Sequence, residues 1–204
     1  MPSGIVRPTV ATVRLDAIQE NVHAIRRLLD STTGGSGAGR SATAPGLIAV
    51  IKANAYGHGA IEVGRAIEAA GASMLACADI EEGVALRDAG LSIPILVFGA
   101  LSVSDLAGVF DRRLTPTIST PGAARALERA AADRGVRLGC HLKIDTGMNR
   151  LGFRHDNLPK TMPEVLASQH LSIDAVYTHM ATADDPESPF LDEQHARLDR
   201  KSVV

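Results

Sequence analysis

The sequence predicts an α/β protein built on a parallel sheet, and three observations carry that prediction. From residue 47 to residue 200, short apolar, β-branched runs alternate with amphipathic stretches, the pattern of repeated βα units. The apolar runs are continuous rather than alternating with polar residues, as strands are when helices cover both of their faces. Gly71, Gly90 and Gly135 fall just past the ends of helical stretches, where a left-handed cap favours glycine.

In chain order, residues 9–15 have strand character, and Asp16 reads as a helix N-cap with Gln19 as its capping-box partner. Leu15, Ile18, Val22, Ile25 and Leu28 recur at helical spacing, giving an amphipathic helix to Asp30. Residues 31–45 are rich in Gly, Ser, Thr and Ala and predict a flexible loop. Within it, residues 34–41 come one substitution short of a phosphate-binding P-loop. Arg40 stands where that motif needs lysine, and the flanking helix and strand are in the wrong order, so the segment is read as a linker.

Strands follow at 47–51, 73–77, 93–98, 114–118, 138–144 and 171–178, with helices at 59–70, 79–89, 103–111, 121–134, 157–168 and 189–200. Pro94, Pro116, Pro121 and Pro159 sit near element boundaries, where a missing N–H costs least. Six such units are too few to close an eight-unit barrel, which takes about 250 residues. Periodicity alone leaves an open doubly wound sheet and a barrel equally admissible. A dinucleotide-binding sheet lacks support, because no G-x-G-x-x-G follows the first strand.

The composition, with 204 residues, 45% hydrophobic, 22% charged and net charge -2, suits one globular domain. It gives no reason to expect nucleic acid or an anionic membrane as a partner. No apolar run approaches the roughly 20 residues that span a bilayer. The first residues lack the apolar core of a secretory signal, so a cytoplasmic location is expected. Cys77 and Cys140 lie isolated in apolar runs and read as small buried hydrophobes. No histidine or carboxylate spacing suggests a metal. His23, His155, His170 and His195 have no partner spacing and read as surface residues.

Chemistry is expected at the carboxyl ends of the strands. Lys52 closes the first buried run, where burial disfavours its charged form and leaves a usable nucleophilic amine. In the strand 138–145, Leu138, Cys140, Leu142 and Ile144 take one face. Gly139, His141, Lys143 and Asp145 take the other, a set that must pair into an ion network or serve a site. The turn that follows carries Arg150, a rigid donor fork suited to a carboxylate or phenolate oxygen. The sixth strand ends in His179.

The contiguous run Ile51-Lys52-Ala53-Asn54-Ala55-Tyr56-Gly57-His58-Gly59 resembles the pyridoxal-phosphate signature of alanine racemases. Two further segments, running from His141 to Gly152 and from Thr178 to Asp184, resemble that family in the same order. The resemblance covers nearly the whole chain, with the loop at 31–45 as a local insertion. It implies a parallel (β/α) barrel of the TIM type, here incomplete, with about six of its eight units present in residues 1–204.

It also implies a set of roles. Lys52 would bind pyridoxal 5'-phosphate covalently and act as the catalytic base for one face of the substrate. Tyr56 would hydrogen-bond the phosphate. Arg150 would contact the cofactor's phenolic oxygen and the substrate carboxylate, and His179 would stack on the pyridine ring. Lys143 would brace Arg150, in many members as a carbamate, which turns a buried cation into an anion beside the arginine.

The expected activity is PLP-dependent racemisation of an amino acid, most simply L- and D-alanine, supplying D-alanine for the cell wall. The family works as a homodimer whose partner subunit donates a second catalytic tyrosine from a C-terminal β domain. Neither Tyr56 nor Tyr177 matches that tyrosine, so the chain reads as a fragment of a longer racemase. The alternatives are a non-catalytic PLP-binding or homeostasis module of the same barrel class, and an inactive remnant.

Overall fold

The computed structural model describes residues 9–33, 45–103 and 105–199. Among these residues seven strands, all paired in parallel, form one sheet: β1 (Ile48–Val50), β2 (Met74–Cys77), β3 (Ile95–Val97), β4 (Thr115–Ile118), β5 (Leu138–Asp145), β6 (Phe153–Arg154) and β7 (Leu171–Tyr177). The six strands read from the sequence are all present. The seventh, β6, is a two-residue bridge onto the end of β5.

Sheet order decides the architecture. A doubly wound sheet reverses its strand order at a switch point, whereas β1 to β5 here lie side by side in chain order and β7 follows on β5. Such in-order winding is that of a TIM-type β/α barrel, and this one is open. Among the described residues β1 pairs only with β2, and β7 only with β5. Ile48 and Val50 on the β1 edge are each 44% exposed.

Helices α1 (Leu15–Thr33), α3 (Ala60–Ala69), α4 (Ile80–Asp88), α5 (Ala107–Asp111), α6 (Pro121–Asp133), α7 (Leu158–Leu166) and α8 (Phe190–Asp199) accompany the strands. Each of the well-covered helices buries one stripe, as Val63 and Ile67 do on α3 and Leu127 does on α6. They pack against fully buried strand residues such as Leu75, Ile95, Ile118 and Ile144. Each such side chain contributes roughly 1.5–3 kcal/mol when fully buried. Gly71, Gly90 and Gly135 all have positive φ at helix ends, as expected.

Several local expectations are corrected. Residues 9–14 form no strand and are exposed, because no neighbouring strand offers them hydrogen bonds. Asp16 lies inside α1 rather than at its cap and pairs with Arg14. Gln19 reaches across to the carbonyl of Ala66 on α3 instead of capping. Helix α1 continues through residues 31–33, which were expected to be loop. The P-loop-like run, residues 34–41, lies outside the described residues. Helix α5 begins at Ala107, later than the expected 103, where Asp105 accepts the N–H of Ala107.

Candidate active site

The first strand delivers Lys52 into an unusual turn, α2 (Lys52–Tyr56). Ala53, Asn54, Ala55 and Tyr56 all have φ between 51 and 54°, so the chain makes a left-handed helical turn. It closes with its own i→i−4 bonds, Ala55 N–H to Ile51 O at 2.9 Å and Gly57 N–H to Ala53 O at 3.0 Å. Left-handed backbone costs L-residues roughly 1–2 kcal/mol each, so outside contacts must hold it. The Asn54 side chain accepts the N–H of Ala60 at 2.8 Å, tying the turn to α3. Glu82 of α4 accepts the N–H of Ala53 at 2.6 Å with one carboxylate oxygen and the N–H of Ala78 at 2.8 Å with the other.

Lys52, Lys143 and Arg150 line one cleft of about 380 Å³ at the carboxyl ends of β1, β3 and β5, together with Ala78, Phe98, Gly99, Ala100 and Leu151. None of the lining groups is acidic. The Lys52 ammonium lies 5.7 Å from the centre of the Phe98 ring and 5.9 Å from that of Tyr56. Tyr56 itself is 59% exposed and is not part of the cleft wall. Gly99 is required for close approach, since a Cβ there would meet the carbonyl oxygen of Ala78.

Lys143 is buried, and desolvation pushes its ammonium below the usual lysine range. Repulsion from Arg150 adds to that shift, and Asp145 opposes it. The ion network admissible from the β5 pattern does not form. Asp145 spends one carboxylate oxygen on the N–H groups of Gly147 and Asn149, each at 3.0 Å, and so shapes the turn that carries Arg150. Among the described residues no ion pair neutralises Lys52, Lys143 or Arg150.

His179 is exposed and is not one of the cleft-lining residues. Partial desolvation lowers its pKa first, and the charges of Arg150, Lys143 and Lys52 lower it further. The structure therefore brings Lys52, Lys143, Arg150 and His179 into one electrostatic neighbourhood, with Tyr56 beside Lys52.

Besides Glu82, two further contributors were not legible in the sequence. Gln194 of α8 is fully buried. It donates to Thr146 Oγ1 at 3.0 Å and to the His179 carbonyl at 3.1 Å, and accepts the N–H of Ala181 at 2.7 Å. It thereby locks the β5 turn to the β7 end. Tyr177 lies beneath Lys143, its hydroxyl 3.0 Å from Thr117 Oγ1 and its ring edge-on to His141.

The expected surface histidines divide. His23 and His195 are exposed, while His170 pairs with Glu128 at 3.0 Å and His155 lies 3.3 Å from the Asp145 carbonyl. Both thiols are buried and free, and burial pushes each up to about 12.

The parallel barrel wall thus presents a primary amine, a second lysine and an arginine to one small cleft. Residues 13–202 match the family model described as alanine racemase, N-terminal domain. The chain belongs to the alanine racemase family through that N-terminal domain. It is 38% identical over 185 residues to the alanine racemase of Symbiobacterium thermophilum, covering 91% of this chain and 46% of that protein.

Among solved structures, the Clostridium difficile 630 alanine racemase in complex with cycloserine superposes with a TM-score of 0.82 at 29% identity. The match covers 98% of this chain and 54% of that one. The histidine racemase of Leuconostoc mesenteroides subsp. sake matches with a TM-score of 0.77 at 30% identity, over 91% of this chain and 47% of that one. The chain spans about half the length of the curated relatives it matches. Among the described residues no helix is long and apolar enough to cross a membrane.

Proposed function

We propose that this domain is the cofactor-binding half of a pyridoxal 5'-phosphate-dependent amino-acid racemase acting on alanine. The observation that supports it best is the convergence of Lys52, Lys143 and Arg150 on one cleft without a carboxylate. A primary amine among cations suits a cofactor that is both an aldehyde and a phosphate ester. When bound, that cofactor supplies an electron sink for charge developing at the substrate Cα.

Lys52 would hold the cofactor and move the α-proton on one face of the substrate. Arg150 would receive the substrate carboxylate through its donor fork. Lys143 would brace Arg150, Tyr56 would take the phosphate, and His179 would lie against the cofactor ring. His179 suits that place because desolvation and the nearby cations favour its neutral form. Racemisation also needs a proton donor on the opposite face, which we assign to a partner subunit in a homodimer. In a bacterial cytoplasm the product would be D-alanine for the cell wall. The likeness to a solved histidine racemase makes alanine a choice to be measured.

The test is to titrate the purified chain with pyridoxal phosphate, follow the visible absorption of the lysine adduct, reduce with borohydride and map the modified peptide. Labelling at Lys52 together with D/L interconversion of alanine is the expected result. Labelling without turnover would leave a binding module, and no labelling would discard the reading.

A further inference from the structure

We propose that Glu82 is the positioning residue that holds the Lys52 turn in its left-handed form and so aims the amine into the cleft. The importance of that amine rests on the functional reading above; the geometry does not. Lys52 sits at the head of the turn, and the N–H of Ala53, directly after it, has no acceptor within the turn's own ladder. Glu82 supplies that acceptor at 2.6 Å. The other oxygen of the same carboxylate takes the N–H of Ala78 at 2.8 Å, at the end of β2 and in the cleft wall. A single side chain thus fastens two neighbouring strand ends at the points where they meet the site.

The support behind Glu82 is itself fixed. Asp79 caps α4 by accepting the Glu82 N–H at 2.8 Å, so the carboxylate projects from an anchored first turn. Both oxygens are needed as acceptors. A glutamine at this position would offer one oxygen and turn an amide N–H₂ group toward the other N–H donor. An aspartate would keep the charge but lack the reach to span both strand ends.

The experiment compares the full chain with Glu82→Gln, Glu82→Asp and, as a control of ordinary helix destabilisation, Thr120→Ala. Thr120 caps α6 away from the cleft by accepting the N–H of Ala123. Amide hydrogen exchange is read at residues 53–57 and 78, and pyridoxal phosphate affinity is read by titration with borohydride mapping.

In both Glu82 variants, exchange at 53–57 and 78 should accelerate about tenfold or more relative to the control, with α6 amides unchanged. The cofactor dissociation constant should rise about tenfold. Exchange at the turn no faster than in Thr120→Ala would overturn the proposal, as would wild-type behaviour of Glu82→Asp or unaltered cofactor affinity in Glu82→Gln. If the unmodified chain fails to label at Lys52 while turn exchange still responds, the racemase reading falls and the positioning role stands.

Discussion

The ammonium of Lys143 lies 5.5 Å from the centre of the Tyr177 ring, a buried cation against an aromatic face, with Asp145 its nearby opposing charge and no ion pair among the described residues. Cation–π contact of this kind returns roughly 0.5–2 kcal/mol, less than a buried charge costs. Lys143 is therefore a destabilising residue kept beside Arg150. Its folded pKa is depressed, so between that value and 10.5 the unfolded chain binds more protons, and stability rises with pH across this window. Lys143→Met should remove that alkaline rise and stabilise the neutral-pH protein by about 1 kcal/mol or more. Thermal melts over a pH series would show it; a lower melting temperature at neutral pH would contradict it.

A lysine amine whose charged form is disfavoured by burial and by a neighbouring arginine is also poised to take up carbon dioxide. Carbon-13 spectra recorded in labelled bicarbonate at neutral pH should show a carbamate signal that vanishes in Lys143→Met. Identical spectra for the two proteins would rule the carbamate out.

His179 should titrate below its usual 6.5, since folding partly desolvates it and places it near three cations. The unfolded chain then takes up a proton first as the solution is acidified, so this group's contribution to stability falls as pH drops through 6.5 toward the folded value. Arg150→Met should raise the folded midpoint. Proton NMR of the imidazole would measure both, and a midpoint indifferent to residue 150 would refute the electrostatic account.

Gln194→Leu removes one buried and two part-buried hydrogen bonds; Thr146 keeps its bond to Thr178, while the Ala181 N–H and the His179 carbonyl lose theirs. Each orphaned group costs about 1–3 kcal/mol, so a loss of about 2 kcal/mol or more is expected in urea unfolding. A loss below about 1 kcal/mol would mean the loops relax around the gap.

Gly99→Ala brings a methyl group against the Ala78 carbonyl. Overpacking of this kind costs about 1–3 kcal/mol, and the backbone shift falls on the cleft wall. Denaturant melts and cofactor titration should both deteriorate. An unchanged titration would show that the wall can yield without altering the site.

The fold was legible where burial leaves a signature in composition. β2 and β3 are apolar enough to be read directly, β5 shows itself by alternation, and chain-order winding followed once family kinship had been recognised. The left-handed turn was not legible, because Ala53 and Ala55 are ordinary helix formers and only Asn54 and Gly57 favour such backbone. Glu82 and Gln194 were hidden for a related reason. An acid in the first turn of α4 and an amide on the polar-looking α8 read as solvated surface, and only tertiary placement turns them inward. Residues 9–14 show the reverse error, since β-branched content without a strand to pair with makes no strand.

The absence of an acidic group in the cleft wall has a practical side. A concave site ringed by Lys52, Lys143 and Arg150 focuses positive potential and gathers small anions from solution, an attraction that weakens as ionic strength shortens the screening length. Inorganic phosphate and sulfate are thus expected to compete with an anionic ligand for the same three side chains. Affinities measured in phosphate buffer or after ammonium sulfate precipitation will understate how readily this domain captures its ligand, whereas a dilute, weakly coordinating buffer will report it.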